Sequence, residues 1–437
     1  MRNPRLIDPL RRPLFRRLAL SYAVNELGDW MGIIALSVLV FDHTGSALAT
    51  AALFLGTRFL PALFAPVLVA QVEKPPPRYA LPVIYCAEAA AFGALALLAD
   101  DFSLVPVVAL AAVDGALALT GRALTRAVVA TALEPSGELR AGNAVLNVAF
   151  TGGAAIGPAL AGLAVAGLGV QSALLLDAVS FYAVAWILFM AGEMPQAEPE
   201  PGRMRERVRA GLAYIRGETI LRRVLTAQGA AFVFFAAVLP VEVVYVKETL
   251  GSTDTGYGLM LASWGGGMVL GSLIFARIRQ APLTNLLLVS TLAVGCGYLG
   301  LAAAPSLAVA CLASLVGGAG NGIQWVAAIS AVQELTAESM QARVMSVLES
   351  IGAAMPGIGF VLGGVIAAVA SPRIAFLVAG AGVISIVAVM APLLKGKWQG
   401  NGEVSEPWPV DGRQDVVVEL IPGRGVQPGN ADPEEIR

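Results

Sequence analysis

Residues 192–222 read GEMPQAEPEPGRMRERVRAGLAYIRGETILR, and every other internal connection in this 437-residue chain is short. The opening GEMPQAEPEPG is polar and proline-rich, the composition of a linker. In the arginine-rich remainder, Met204, Val208, Leu212 and Ile215 share one helical face. Such a helix suits the surface of an anionic inner leaflet. A solvated linker helix is the plainer alternative. Working outward, apolar runs lie at roughly 18–41, 46–70, 79–99, 104–132, 143–167 and 172–191 before the stretch. After it they lie at 223–246, 257–277, 283–303, 307–335, 344–369 and 374–394. Each is near the ~20 residues that a membrane-crossing helix needs. The links between them (DHTG, EKPPP, DDFS, EPSG, ETLGSTDTG, RQAP, APS, ASPR) are made of turn residues. The stretch therefore parts six spans from six.

Composition agrees. Hydrophobic residues make up 57% and charged residues 14%, against about 25% charged in a soluble chain. Mean hydropathy is +0.73. A soluble globule could not cover itself with polar surface at this composition, and no run alternates as a membrane-barrel strand does. The fold class is an all-α polytopic membrane protein with twelve transmembrane helices. A net charge of −2 excludes a basic nucleic-acid binder. Cys86, Cys296 and Cys311 stand far apart in apolar runs and the chain has one histidine, so no metal or cofactor is indicated.

Lys and Arg set the orientation. Arg2, Arg5, Arg11, Arg12, Arg16 and Arg17 precede the first span. Alternate loops counted from there hold Lys74, Arg78, Arg140, seven arginines in 203–223, Arg277, Arg279, Arg343 and the C-terminal tail. The opposite loops hold only Lys247 and Arg373. Both termini are expected in the cytoplasm, with the chain in a bacterial inner membrane. The first run is too long for a signal sequence and is expected to stay.

The two halves resemble each other at an offset of 203: Arg140 in ELRAGNAVLN matches Arg343 in QARVMSVLES. Span 5 has Pro158 and Ala161-Gly162, and span 11 has Pro356 and Gly363-Gly364. Like-oriented six-helix repeats are the layout of major facilitator transporters. The expected organisation is 1–192 and 223–394 as two pseudo-symmetric six-helix bundles, 193–222 as a cytoplasmic linker and 395–437 as a disordered tail.

Longer stretches carry a family resemblance. FDHTGSALATAALFLGTRFLPALFAP (41–66), ELRAGNAVLNVAFTGGAAIGPALAGL (138–163), LLLDAVSFYAVAWIL (174–188) and VQELTAESMQARVMSVLESIGAAMPGIGFVLGG (332–364) together resemble the major facilitator superfamily. Within it the chain looks most like the macrolide-efflux and enterobactin-exporter-like drug:proton antiporters, over about 14–394. Span 5 is similar to the antiporter motif Gly-x8-Gly-x3-Gly-Pro-x2-Gly-Gly, with Ala144, Gly153, Gly157, Pro158, Ala161 and Gly162 at its positions. Small residues at this spacing let helices approach closely; the motif implies an antiporter, and ordinary packing is the alternative. The loop between spans 2 and 3 departs from the superfamily pattern. Glu73-Lys74 stands where Asp-Arg is expected, Arg78 where a later Arg falls, and Val69 replaces a glycine. The resemblance gives these residues a gating role; EKPPP could equally be a stiff turn.

Charges within the spans are functional candidates, because each costs about 2.5–3.5 kcal/mol at the centre of a membrane helix. They are Glu26 and Asp29 (span 1), Arg58 (span 2), Glu88 (span 3), Asp114, Arg122 and Arg126 (span 4) and Asp177 (span 6). The superfamily lines its cavity with spans 1, 4, 7 and 10. Glu26 and Asp29 share a helical face with Tyr22 one turn away. Two carboxylates this close in low dielectric cannot both ionise cheaply, so one is expected to carry the coupling proton, with Asp114 as a second site. A structural Arg58–Asp29 ion pair is the alternative. Arg122 and Arg126 are expected at the cytoplasmic mouth, holding an anionic substrate or steering a proton, with snorkelling against lipid phosphate as the alternative. Asp177 reads as structural, Glu242 and Glu349 as interfacial, and His43 as an inert loop residue. Asn321 and Gln324, with Trp325 as an aromatic wall, are expected to line the cavity.

These residues point to a secondary active exporter of an amphipathic small molecule such as a drug, macrolide or siderophore, a multidrug-resistance type of efflux. Protons, membrane lipids and that substrate are the expected partners, with no nucleic acid and a monomeric state. A lysophospholipid flippase of the same fold is the runner-up. No nucleotide loop is present, so ATP drive is not indicated. An intramembrane enzyme is a weaker reading, because no paired catalytic motif is present, and a transport-dead sensor is a weaker one kept open by the departing loop between spans 2 and 3.

Overall fold

A computed structural model describes residues 7–64, 75–196, 204–278, 281–337 and 340–394. Glu73, Lys74 and the tail from Lys395 lie outside the described residues. Among the described residues twelve helices are long and apolar enough to cross a membrane. In chain order they are α1 (Pro13–Thr44), α2 (Ala47–Phe64), α3 (Pro77–Leu97), α4 (Leu104–Leu133), α5 (Leu139–Leu168) and α6 (Val170–Phe189). The linker helix α7 (Met204–Gly217) follows. Then come α8 (Thr219–Val238), α9 (Asp254–Arg277), α10 (Leu283–Ala303), α11 (Leu307–Glu334), α12 (Gln341–Val369) and α13 (Pro372–Leu394).

Local chemistry explains several boundaries. α1 begins earlier than its apolar run, with Pro13 at the start, where a missing N–H costs nothing. It stops at Gly45, whose φ of +57° suits a residue without a Cβ and whose N–H reaches Phe41 O at 2.7 Å. His43 therefore sits in the last turn of α1 and not in a loop; its ring stacks on Phe102 with centroids 4.5 Å apart. α8 ends at Val238, well short of the end of its apolar run, because Pro240 cannot continue the ladder. Glu242 opens the short helical turn that follows (Glu242–Val244) and is buried, where an exposed interfacial residue was expected. Glu349 is exposed.

α1 packs on α5 and α6, α3 on α4 and α6, α8 on α12 and α13, and α11 on α9 and α10. Two seams join the first six spans to the last six: α5 against α9, and α2 against α12. The α5–α9 seam is a glycine crossing. A Cβ added at Gly162 would meet Gly258 Cα at 2.8 Å, and one added at Gly258 would meet Pro158 O at 2.7 Å. At the second seam a Cβ on Gly364 would meet Ala51 Cβ at 2.7 Å, and Phe54 lies against Phe360. Close backbone approach replaces the hydrophobic drive that lipid cannot supply. Near the α1–α2 turn, Lys247 bridges Asp42 at 2.5 Å and Asp254 at 2.6 Å, linking the end of α1 to the start of α9.

At the opposite, arginine-rich end the repeat shows in two matching contacts. Arg17, near the start of α1, donates to Met190 O at the end of α6 at 2.6 Å. Arg223, near the start of α8, donates to Leu393 O at the end of α13 at 3.0 Å. In each case a guanidinium meets the negative end of a helix dipole. The linker helix α7 packs on the protein at this end. Ile215 is buried with Leu221, Val224, Val344 and Val347, and Gly211 lies against the Arg343 carbonyl. Its Ile215 face thus covers α8 and α12, while Leu212 on the same helix stays exposed.

Candidate transport site

Most of the charged residues within the spans meet in one place, among α1, α2, α3, α4 and α6. Asp29 of α1 and Arg122 of α4 form an ion pair, with the Asp29 side chain 7% exposed and that of Arg122 21% exposed. Asn25, one turn before Asp29, donates to the same carboxylate oxygen at 3.4 Å. One turn along α4, Arg126 donates to Tyr22 Oη at 2.8 Å and lies 5.4 Å from the centre of that ring. α1 and α4 are thus stitched by two arginines at i and i+4 meeting two acceptors on one face of α1.

This geometry corrects one expectation. Asp29 pairs with Arg122 and not with Arg58, whose guanidinium lies 5.8 Å from the centre of the Trp30 ring. Arg122 and Arg126 both meet acceptors on α1, and Arg126 stays exposed. Neighbouring carboxyls complete the network. Glu26 is buried with Oε1 unpartnered, and Asp114 of α4 is buried with Oδ1 unpartnered. Glu88 and Asp177 lie in the same region. In low dielectric such groups interact far more strongly than in water, so moving one proton or one guanidinium here shifts the balance among all of them.

The glycines of α5 are placed to permit this. A Cβ at Gly153 would touch the Glu26 backbone at 3.1 Å, and one at Gly157 would meet Trp30 Cβ at 2.6 Å. These two hold α5 against the face of α1 that carries the network, while Gly162 serves the α9 seam. Gly157→Leu is expected to push α1 away, lowering the thermal midpoint in detergent and abolishing function. A variant with unchanged melting and flux would exclude this packing role.

The α11 candidates stand apart. Gln324 donates to Gln228 of α8 at 3.1 Å in a buried amide pair. Trp325 is 44% exposed and edge-on to Phe232, and Asn321 is half-buried one turn away. Among the described residues no hydrogen bond joins them to the α1–α4 network. Gln228 and Gln324 border a mostly apolar recess among α8, α10, α11 and α13, lined also by Ala231, Thr291, Val387 and Met390. Arg78 is exposed, its guanidinium 4.5 Å from the centre of the neighbouring Tyr79 ring. Sequence reasoning missed Asn25, Trp30 and Gln228. Asn25 was within reach, since a polar residue four before Asp29 must share its face.

A family model described as transmembrane secretion effector, of the major facilitator group, matches residues 6–425. The chain belongs to that family. The match runs past Lys395, where the resemblance was expected to end. No curated protein sequence matches the chain. Solved structures do match. The nucleoside transporter NupG superposes with a TM-score of 0.67 at 12% identity, covering 88% of this chain and 100% of that one. A POT family transporter in complex with a thioalcohol-conjugated peptide gives 0.69 at 13%, covering 87% and 96%. A bacterial homolog of the human lysosomal transporter Spinster, inward-facing and unoccupied, gives 0.65 at 15%, covering 88% and 95%. At these identities the likeness is one of fold. The protein is a major facilitator transporter.

Proposed function

We propose that this transporter exports an amphipathic small molecule by alternating access, in exchange for protons. The observation that carries the reading is the buried Asp29–Arg122 pair between α1 and α4, with Glu26 and Asp114 beside it. A carboxylate that holds an arginine when ionised and releases it when protonated converts proton binding into a helix movement. One proton crossing 100 mV supplies about 2.3 kcal/mol, enough for a roughly fifty-fold substrate gradient. The exposed Trp325 and Arg126 suit a substrate with an apolar body and a polar end.

The test is substrate flux in proteoliposomes with an imposed pH gradient, after a thermal-shift screen of lipophilic cations, macrolides, siderophores and lysolipids. Flux indifferent to the pH gradient would remove the proton. The apolar recess of the second half favours a second reading, movement of a lysolipid, which selective stabilisation by lysolipids in the same screen would support. Orientation is tested separately. Single cysteines at Ser103 and Ser252 are expected to label from outside intact cells, and one at Ser136 only after permeabilisation. The reverse pattern would overturn cytoplasmic termini.

A further inference from the structure

Glu88 and Asp177 take no part in the α1–α4 pairing, yet they are among the most enclosed polar side chains in the protein. Glu88 of α3 is 0% exposed, and neither carboxyl oxygen has a hydrogen-bond partner. Asp177 of α6 is 2% exposed; its Oδ1 accepts from Ser180 Oγ at 3.2 Å and its Oδ2 has no partner. The backbone of α1 is notched to admit it: a Cβ at Gly32 would meet Asp177 Oδ2 at 2.8 Å, and one at Gly28 would run into Oδ1. The groups facing Glu88 are Asp29 from α1, Asp114 and Arg122 from α4, Asp177 from α6 and, on its own helix, Tyr85. Those facing Asp177 are Asp29, Glu88, Asp114 and Ser180, with no cation among them.

A charge count follows. Glu26, Asp29, Glu88, Asp114 and Asp177 are five acids, against three guanidiniums at Arg58, Arg122 and Arg126. Full ionisation would leave two negative charges uncompensated, and each buried unpaired ion costs several kcal/mol. Among the described residues no cluster of three acidic, His or Cys side chains is arranged to hold a metal ion. A proton is the ligand that fits.

We propose that Glu88 and Asp177 form a proton-binding site behind the Asp29–Arg122 pair, each side chain holding one proton while that pair is closed. Arg122 pairs with Asp29, and its charge also acts on Glu88. When Asp29 takes up a proton, the charge of Arg122 is freed and favours the ionised form of Glu88. One proton is gained at Asp29, one leaves Glu88, and the charge of the network is unchanged. The site thus extends the proton path from α1 to α3. Its role in coupling rests on the exchange reading above; its existence does not.

The experiment is infrared spectroscopy of the purified full-length protein in water and in heavy water, reading the carbonyl stretch of protonated carboxyls across pH. At neutral pH the wild type is expected to show such bands, and Glu88→Gln and Asp177→Asn each to lose one. In Asp29→Asn the Glu88 band is expected to persist only at proton concentrations at least about tenfold higher. A wild type without protonated-carboxyl bands at neutral pH overturns the site, whether or not the variants fold. Variants that keep every band overturn it too, and an unshifted band in Asp29→Asn overturns the exchange. The readout needs neither substrate nor flux. Bands present with no proton-driven flux would therefore sink the exporter reading alone.

Discussion

Asp29→Asn is expected to collapse uphill export from a roughly fifty-fold gradient to none, while substrate still exchanges down its own gradient. The amide copies a permanently protonated carboxyl, so Arg122 loses its ionised partner and the proton-dependent step is locked. Glu26 lies nearby and can balance part of the freed charge, so the variant should fold. Glu26→Gln should cost less, because it leaves the ion pair intact. The measurement is counterflow and pH-driven flux in proteoliposomes for both single variants and the double. Undiminished uphill export in all three would remove both carboxylates as carriers.

The second large effect is on stability. Arg122→Met leaves Asp29 buried without its cation, and breaking a buried pair from one side costs about 3–5 kcal/mol. The thermal midpoint in detergent should drop well below that of the wild type. Asp29→Asn combined with Arg122→Met should recover most of the loss, because two neutral side chains have no charge to strand. A double variant that melts no higher than Arg122→Met alone would show that the pair is not the source of the loss.

The fold was legible because a bilayer imposes one rule everywhere: about twenty apolar residues, closed by turn chemistry. Where that rule is silent the reading slipped. Arg16 and Arg17 looked like a loop, yet they belong to α1, since Arg17 is spent on the carbonyl of Met190. Pro240 lies inside an apolar run and still ends α8. The site was half legible. Its residue types stood out because charges in membrane helices are rare, but their partners did not. Arg58 and Arg122 both lie near Asp29, and the packing of α1 against α4 decides which one meets it. Likewise Asp177 read as structural because α6 is usually peripheral, and the glycine notch in α1 that brings it toward Asp29 cannot be seen in one dimension.

The matched arginines at the chain's two starts carry a consequence for assembly. Arg17 closes α1 onto the end of α6, and Arg223 closes α8 onto the end of α13. In each set of six helices the first is thereby fastened to the last. Joining the two sets in one chain adds an effective concentration, of millimolar order for short tethers, under which the α5–α9 and α2–α12 seams find each other. A gene cut within residues 197–203 is expected to trade that local concentration for the dilution of two chains in a membrane.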